Sequence, residues 1–497
     1  MTGSTARLSM LSAGAAMAFL APRPVHAQAT AAEPIDRAMI AKIRAEGMDR
    51  SKALDYYNHL TNVIGPRLTG TPAFKQAGDW ARAQLTSFGL SNPRLENFAF
   101  GRGWTLEKLT LEIIGPRYFP LVGYPEAWSP STRGVLESEV VYLGDKTIEE
   151  IQALAGAGRL RNAIVMMAAP QTNFIKLDRL QPADTNGRVR IGAPPSLGAT
   201  SRTPANQVTP ILRQAGAGVV LRPNMGEHGT IFVLGNRNTA DDAIPNVVLA
   251  AEHYNLMARM AMSGVTPRVR VEVRGQYHGA ENNGINVLAE IPGSDPQLRN
   301  QVVMIGGHMD SWHSATGATD NADAVAALIE TVRILKAVGA QPRRTIRIAI
   351  WGGEEQGLLG ARAWVNRYLA GDSNRAAREN FSVYLNDDPG HGATYGFYMQ
   401  DNAAAKAIFD AWLEPLRDLR VKKNILEGIG STDHLAFTGI QVPGFSTVKD
   451  YVDYDVRTHH TNADFFERVG EADIRQSAIV MAVFAWHAAQ RNEKIPR

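Results

Sequence analysis

Cysteine is absent from all 497 residues. That excludes disulfides, thiolate nucleophiles and thiolate metal ligands, so any metal must be held by histidine and carboxylates, and an exported chain must be stable without cross-links. No long run of lysine or arginine occurs and neither charge sign dominates, with 52 basic against 49 acidic residues. Nothing in that balance argues for nucleic acid or an anionic membrane. The apolar run Leu11–Ala21 is too short to span a bilayer. A G-x-S-x-G nucleophile elbow is missing, which sets aside the serine α/β hydrolases, and no internal repeat is visible.

What is present is an ordinary globular composition, 44% hydrophobic and 20% charged. The length suggests two or three domains with ample core. Arg7 precedes the apolar run Leu11–Ala21, and Pro22, Pro24 and the small-residue end Val25-His26-Ala27 follow it. This pattern predicts a secretory signal peptide over residues 1–27 and a periplasmic or secreted protein. Removing it takes away Arg7 and Arg23 and no acid, leaving 50 basic against 49 acidic residues, a net charge near +1.

The stretch Val302 to Glu355 carries the chemistry. A β-branched run, Val302 to Ile305, ends in Gly306-Gly307 and delivers His308 and Asp310 past the C-terminal end of a strand, where open α/β sheets bind ligands. After the loop Ser314 to Thr319, Asp320 opens a helix whose apolar residues Val325, Leu328, Ile329, Val332 and Leu335 recur at helical spacing up to Gly339. Ile346, Ile348 and Ile350 then mark a second strand, which leaves the sheet at Trp351-Gly352-Gly353 and Glu354-Glu355. Alone, Asp320 reads as an N-cap, His308 as a satisfied histidine and the glutamate pair as a solvated turn. Together, at neighbouring strand tips flanked by glycine, they are the donor set of a hydrolytic zinc site.

The strings GGHMDSW, GATDNAD, WGGEEQGLLG, YLNDDPG and HHTNAD, starting at Gly306, Gly317, Trp351, Tyr384 and His459, resemble the co-catalytic zinc exopeptidase family. Its members include bacterial aminopeptidases, plasma glutamate carboxypeptidase and prostate-specific membrane antigen. The resemblance implies two zinc ions, with His308, Asp320, Glu355, Asp388 and His460 as ligands, Asp320 bridging, and Glu354 as general base. Asp387 is the alternative to Asp388. Asp310 is expected to accept a hydrogen bond from the far nitrogen of His308 and fix its tautomer. His459 stands where several members carry an oxyanion-steadying tyrosine and is expected to act as a weak substitute. Asp433, in a segment resembling the family's Ser-Asp-His, reads either as a loop cap or as a substrate contact, and Arg457 is the nearest sequence-local cation.

The same resemblance implies a mixed, mostly parallel α/β sheet flanked by helices, with a smaller inserted protease-associated domain. The expected boundaries are 1–27 for the signal peptide, 28–118 for the first part of the peptidase domain, 119–279 for the insertion and 280–497 for the zinc peptidase domain. The insertion has its own proline-punctuated strands at Val140-Val141-Tyr142 and Ala163 to Met166, with a long surface loop over 171–203. Glu471 to Gln490 reads as a packing helix. The expected partner is a peptide substrate, with a homodimer left open. Because Asp387, Asp433 and Asp464 leave the neighbourhood acidic, an aminopeptidase that pairs with a free α-amine is favoured. A dipeptidase or carboxypeptidase resembling the plasma enzyme is the alternative, a single-zinc glutaminyl cyclase comes behind it, and a binding protein like the transferrin receptor would have lost ligands.

Overall fold

The run Val302–Ile305 becomes, as its pattern predicts, a strand at the centre of a seven-stranded sheet. The structure is a computed structural model that describes residues 33–184, 202–279 and 284–497. The expected signal peptide, 1–27, lies outside the described residues, as does part of the expected loop over 171–203. Across the sheet the strands run Ser91–Phe98, Gly284–Ile291, Thr345–Trp351, Val302–His308, Phe381–Asn386, Gly444–Asp450 and His391–Tyr398. The four from Thr345–Trp351 to Gly444–Asp450 are parallel and the flanking ones antiparallel. Parallel strands must be covered on both faces. Ile346, Ile348 and Ile350 accordingly enter one core with Val303 and Ile305, while Ala349 and Trp351 enter another with Met304, Trp364, Tyr384 and Phe437.

The crossover helix spans Asp323–Ala337 and is buried nearly all round. Its start differs from the expectation that Asp320 opens it. Ala318–Ala322 form a separate wide turn in which Asp320 and Asn321 have non-helical dihedrals, and their peptide bond is cis. The reason is chemical: the Asp320 carboxylate is drawn toward two histidines instead of capping helix amides. The C-terminal helix is Glu471–Gln490, as its spacing predicts. It is also buried on all sides along most of its length, because the crossover helix, Arg37–Asp49 and the sheet enclose it.

A second sheet of eight strands lies in the same compact unit, Ile35–Arg497. Its strands run Phe119–Pro120, Trp104–Gly115, Arg268–Tyr277, Leu136–Tyr142, Ile164–Met166, Val219–Pro223, Asn246–Leu249 and Gly123–Pro125. It therefore begins at Trp104, ahead of residue 119. Leu111 and Ile113 bury against Val269, Val271 and Val273, so this strand belongs with its partner across the sheet.

Candidate active site

His308 ends its strand in register with Trp351, three residues before Glu354. That register brings an imidazole and two carboxylates to one sheet edge. Gly307 is required there, since a Cβ would lie 2.5 Å from the Asp387 carbonyl oxygen. Gly317, at φ +58°, lets the next loop fold back onto Ser311, whose Cβ would be 2.2 Å away.

Asp320 is the centre of the arrangement. Its Oδ1 lies 3.3 Å from His308 Nε2 and its Oδ2 3.2 Å from His460 Nε2. His308 Nε2 is also 3.6 Å from Asp388 Oδ1, and His460 Nε2 is 2.8 Å from Glu355 Oε2. One carboxylate thus faces two sub-sites, His308 with Asp388 and His460 with Glu355. Of the tandem aspartates, Asp388 lies beside His308, whereas Asp387 accepts from Thr447 Oγ1 at 2.8 Å and lies 3.5 Å from Lys449 Nζ. Trp312 Nε1 donates to Glu355 Oε2 at 2.8 Å. Glu355 Oε1 is buried with no hydrogen-bond partner among the described residues, and the donor set is all nitrogen and oxygen. An ion between these groups would satisfy that oxygen, so the residues present fit zinc.

The electrostatics are those of an acidic cluster holding protons where a cation would sit. Burial alone would keep His308 neutral, but Asp388, Glu354, Asp310 and Asp320 raise it well above its ordinary value. For His460, burial is outweighed by Glu355 and Asp320, and its pKa is pushed up to about 10. Asp320 resists burial through its bonds from His308 and His460 and stays well below the usual carboxylate range. Burial, with Asp320 beside it, pushes Glu355 up to about 7. Burial also raises Glu354 well above the usual glutamate range, with Asp388 and Asp433 adding to the effect and His308 opposing it.

The remaining expected residues divide. Asp310 meets His308 more closely through its carbonyl than through its carboxylate. The ring nitrogen Nδ1 lies 3.0 Å from the Asp310 carbonyl oxygen and 3.5 Å from Oδ1. The carboxylate accepts instead from the Glu354 and Glu355 amides, at 3.3 and 3.4 Å, tying the base and ligand to the histidine's strand. His459 stacks on Tyr454 with ring centroids 4.9 Å apart, and its ring lies 3.8 Å from that of His460. Together with Asp320 and His460 it forms one group whose ligand atoms lie within 4.8 Å of one another, and His308, Asp320 and Glu355 form another. Burial and the neighbouring His460 lower it to about 3, so it is a neutral imidazole.

Asp433 is fully buried, with the charges of His308, Asp388 and Asp310 acting on it, and both of its carboxylate oxygens lack a hydrogen-bond partner among the described residues. Arg457 points to the other sheet: its Nη1 donates to the Glu227 carbonyl at 3.1 Å and to Thr230 Oγ1 at 3.0 Å. The segment it belongs to is built into that sheet's loops. Val233 N donates to the His460 carbonyl at 3.1 Å, Ile231 N to Asn462 Oδ1 at 2.7 Å, and Phe232 bridges Thr461. Arg179 grips Asp455 with Nε at 2.8 Å and Nη2 at 2.5 Å.

Sequence reasoning missed Lys449, Asp323 and Arg67. Lys449 and Asp323 form a fully buried pair at 2.8 Å beneath Asp387. Asp323 lies inside the GATDNAD string, but only strand order brings Lys449 beside it.

Residues 286–485 match Peptidase family M28. Carboxypeptidase Q from Homo sapiens is 23% identical over 460 residues, covering 92% of this chain and 89% of its own length. The peptidase M28 precursor from Shewanella amazonensis SB2B superposes with a TM-score of 0.68 at 23% identity, over 93% of this chain and 98% of its own. A zinc aminopeptidase from Bacillus subtilis does so with a TM-score of 0.58 at 16% identity, over 88% and 95%.

Proposed function

We infer that the chain, whose residues 286–485 match Peptidase family M28, is a zinc-dependent exopeptidase holding two zinc ions. The observation that carries the second ion is the division of Asp320, one oxygen toward His308 and Asp388 and the other toward His460 and Glu355. Zinc bound by these residues supplies Lewis acidity toward the peptide carbonyl and lowers the pKa of water. The protein's part is to position and to move a proton. Glu354, its amide fixed by Asp310, takes a proton from the attacking water and gives it to the leaving amine. His459 is placed to donate one hydrogen bond to the carbonyl oxygen as charge develops on it. Metal analysis of the purified chain tests this reading: about two zinc ions per chain supports it, and none removes it.

We further propose that the enzyme reads a free α-amine. Glu354 is the carboxylate of the site not engaged as a ligand and can face an α-amine, whereas Arg457 is committed to Glu227 and Thr230. A charged terminus in a closed site needs an opposite partner. The alternative, a carboxypeptidase-like dipeptidase, is favoured by the near full-length likeness to carboxypeptidase Q. Comparing N-acetylated with C-amidated dipeptides separates the two. Hydrolysis of the amides supports the amine reading, and hydrolysis confined to the acetylated set reverses it. The second sheet, as an inserted protease-associated domain, and export after cleavage near Ala27 complete the reading.

A further inference from the structure

Between His308 and Asp320 the chain makes a buried loop without regular structure, and two side chains of opposite charge hold it by its backbone. Arg67, fully buried, gives hydrogen bonds to carbonyl oxygens from every guanidinium nitrogen. Nε donates to Met309 at 2.9 Å, Nη2 to Gly317 at 2.9 Å, and Nη1 to Thr316 at 2.7 Å, Gly65 at 2.9 Å and Leu60 at 3.1 Å. Its own amide donates to Ser311 Oγ at 3.0 Å. From the other side Asp464 accepts the Thr319 amide on Oδ1 at 2.7 Å and the Asp320 amide on Oδ2 at 3.2 Å. The Asp464 carbonyl takes the Thr316 amide and hydroxyl, each at 3.2 Å.

Burying an arginine on carbonyls alone is costly, and packing would be served as well by an apolar side chain. What the cation does that an apolar group cannot is satisfy carbonyls toward both ends of the loop at once, at Met309 directly after His308 and at Thr316 and Gly317, three to four residues before Asp320. Asp464 does the same for the amides at the Asp320 end. We propose that Arg67 and Asp464 form a through-backbone clamp, positioning residues that fix the spacing of His308 and Asp320 and so set zinc affinity without touching the metal. A loop already ordered gives up no conformational freedom when the ion arrives. The proposal rests on the zinc reading above.

The test uses the full chain, stripped of metal by chelation, with zinc alone as the probe in competition with a chromophoric chelator. R67K keeps the charge but loses the planar fork, and D464N keeps the shape but loses the charge. Each is expected to weaken zinc binding about 10–100-fold, the usual effect of removing a partner that orients a ligand. The double variant is expected to lose less than the product of the two, because both act on one loop. The zinc-induced rise in melting temperature should shrink more than the melting temperature of the metal-free protein falls. Zinc affinity like wild type in the folded variants, with only the metal-free melting temperature lowered, makes the clamp merely structural and overturns the proposal. So does a double variant equal to the product. Should R67K fail to fold, D464N decides alone. Wild type that binds no zinc overturns the zinc reading itself, a result distinct from these.

Discussion

Glu354 is nearly enclosed, its amide is pinned, and its carboxyl is raised well above an ordinary glutamate by burial. Glu354→Gln should therefore leave zinc content and melting temperature near wild type while lowering kcat by about 10²–10⁴-fold, the usual share of general acid–base catalysis. Retained activity in this variant would assign the proton transfer to another group. His308 and His460 give a second prediction. In the metal-free protein both rings hold protons above the ordinary histidine range, His460 up to about 10, and Glu355 holds one up to about 7. Zinc must displace those protons, so its affinity falls as pH is lowered and rises with pH across the neutral range. Calorimetry in buffers of different ionisation enthalpy should record proton release, and a pH-independent dissociation constant would contradict the cluster. The residues facing one another were legible in the sequence because each stands in a short string that resembles the family's, His308, Glu355 and Asp388 just at or past strand tips and Asp320 and His460 in loops. Asp310 was legible as a helper but not in its working atoms, since no spacing rule tells a carbonyl from a carboxylate. Arg67, more than 200 positions from the loop it holds, stands in a stretch that resembles the family's opening segment but carries no local signal of the contacts it makes.

At the level of elements, the pair Asp323–Lys449 joins the start of the crossover helix to the end of a neighbouring strand, and Lys449 also reaches toward Asp387. Both partners are fully buried, so Lys449→Met leaves the Asp323 carboxylate with the Gly392 and Ala324 amides but no cation. It should destabilise the fold by about 3–5 kcal/mol, measured by denaturant unfolding of the metal-free protein. A change within experimental error would mean that water or another residue reaches Asp323. The central strands Val302–His308 and Thr345–Trp351 and the two long helices were readable from pattern alone, since parallel strands are apolar on both faces and the helices repeat at three and four residues, whereas Gly444–Asp450 and His391–Tyr398 were not read as strands. Nor was the turn at Asp320 readable. Local propensity favours a helix cap at that aspartate, and the pull of two histidines, one of them 140 residues later, overrides it. The start of the second sheet at Trp104 escaped for a similar reason: its partner strand lies at Arg268–Tyr277.

At the scale of the whole molecule, any ligand bound by the folded chain alone stabilises it by mass action. Chelation should lower the melting temperature, and zinc titrated back should restore it together with activity. A melting temperature indifferent to both would argue against ions bridging the strand tips. Export is tested separately: the amino terminus of the protein from its native cell is expected at or near Gln28, and an intact Met1 would count against a cleaved leader.

His460 reaches the site on a segment stitched at its carbonyl, at Asn462 and at Thr461 to the loop Ile231–Val233 of the other sheet. A half-folded chain with only the first sheet in place has His308, Glu355 and Asp388 aligned and Asp464 anchored, but the last histidine lacks the bonds that its carbonyl and Asn462 make to the other sheet. Such a chain is latent. A peptidase that acted while half folded would find its own loose ends, and those of its unfolded sisters, as the most concentrated substrate in reach. Making the final ligand depend on both sheets delays the first cut until the enzyme no longer offers itself as a meal, and during refolding peptidase activity should appear only after both sheets have docked.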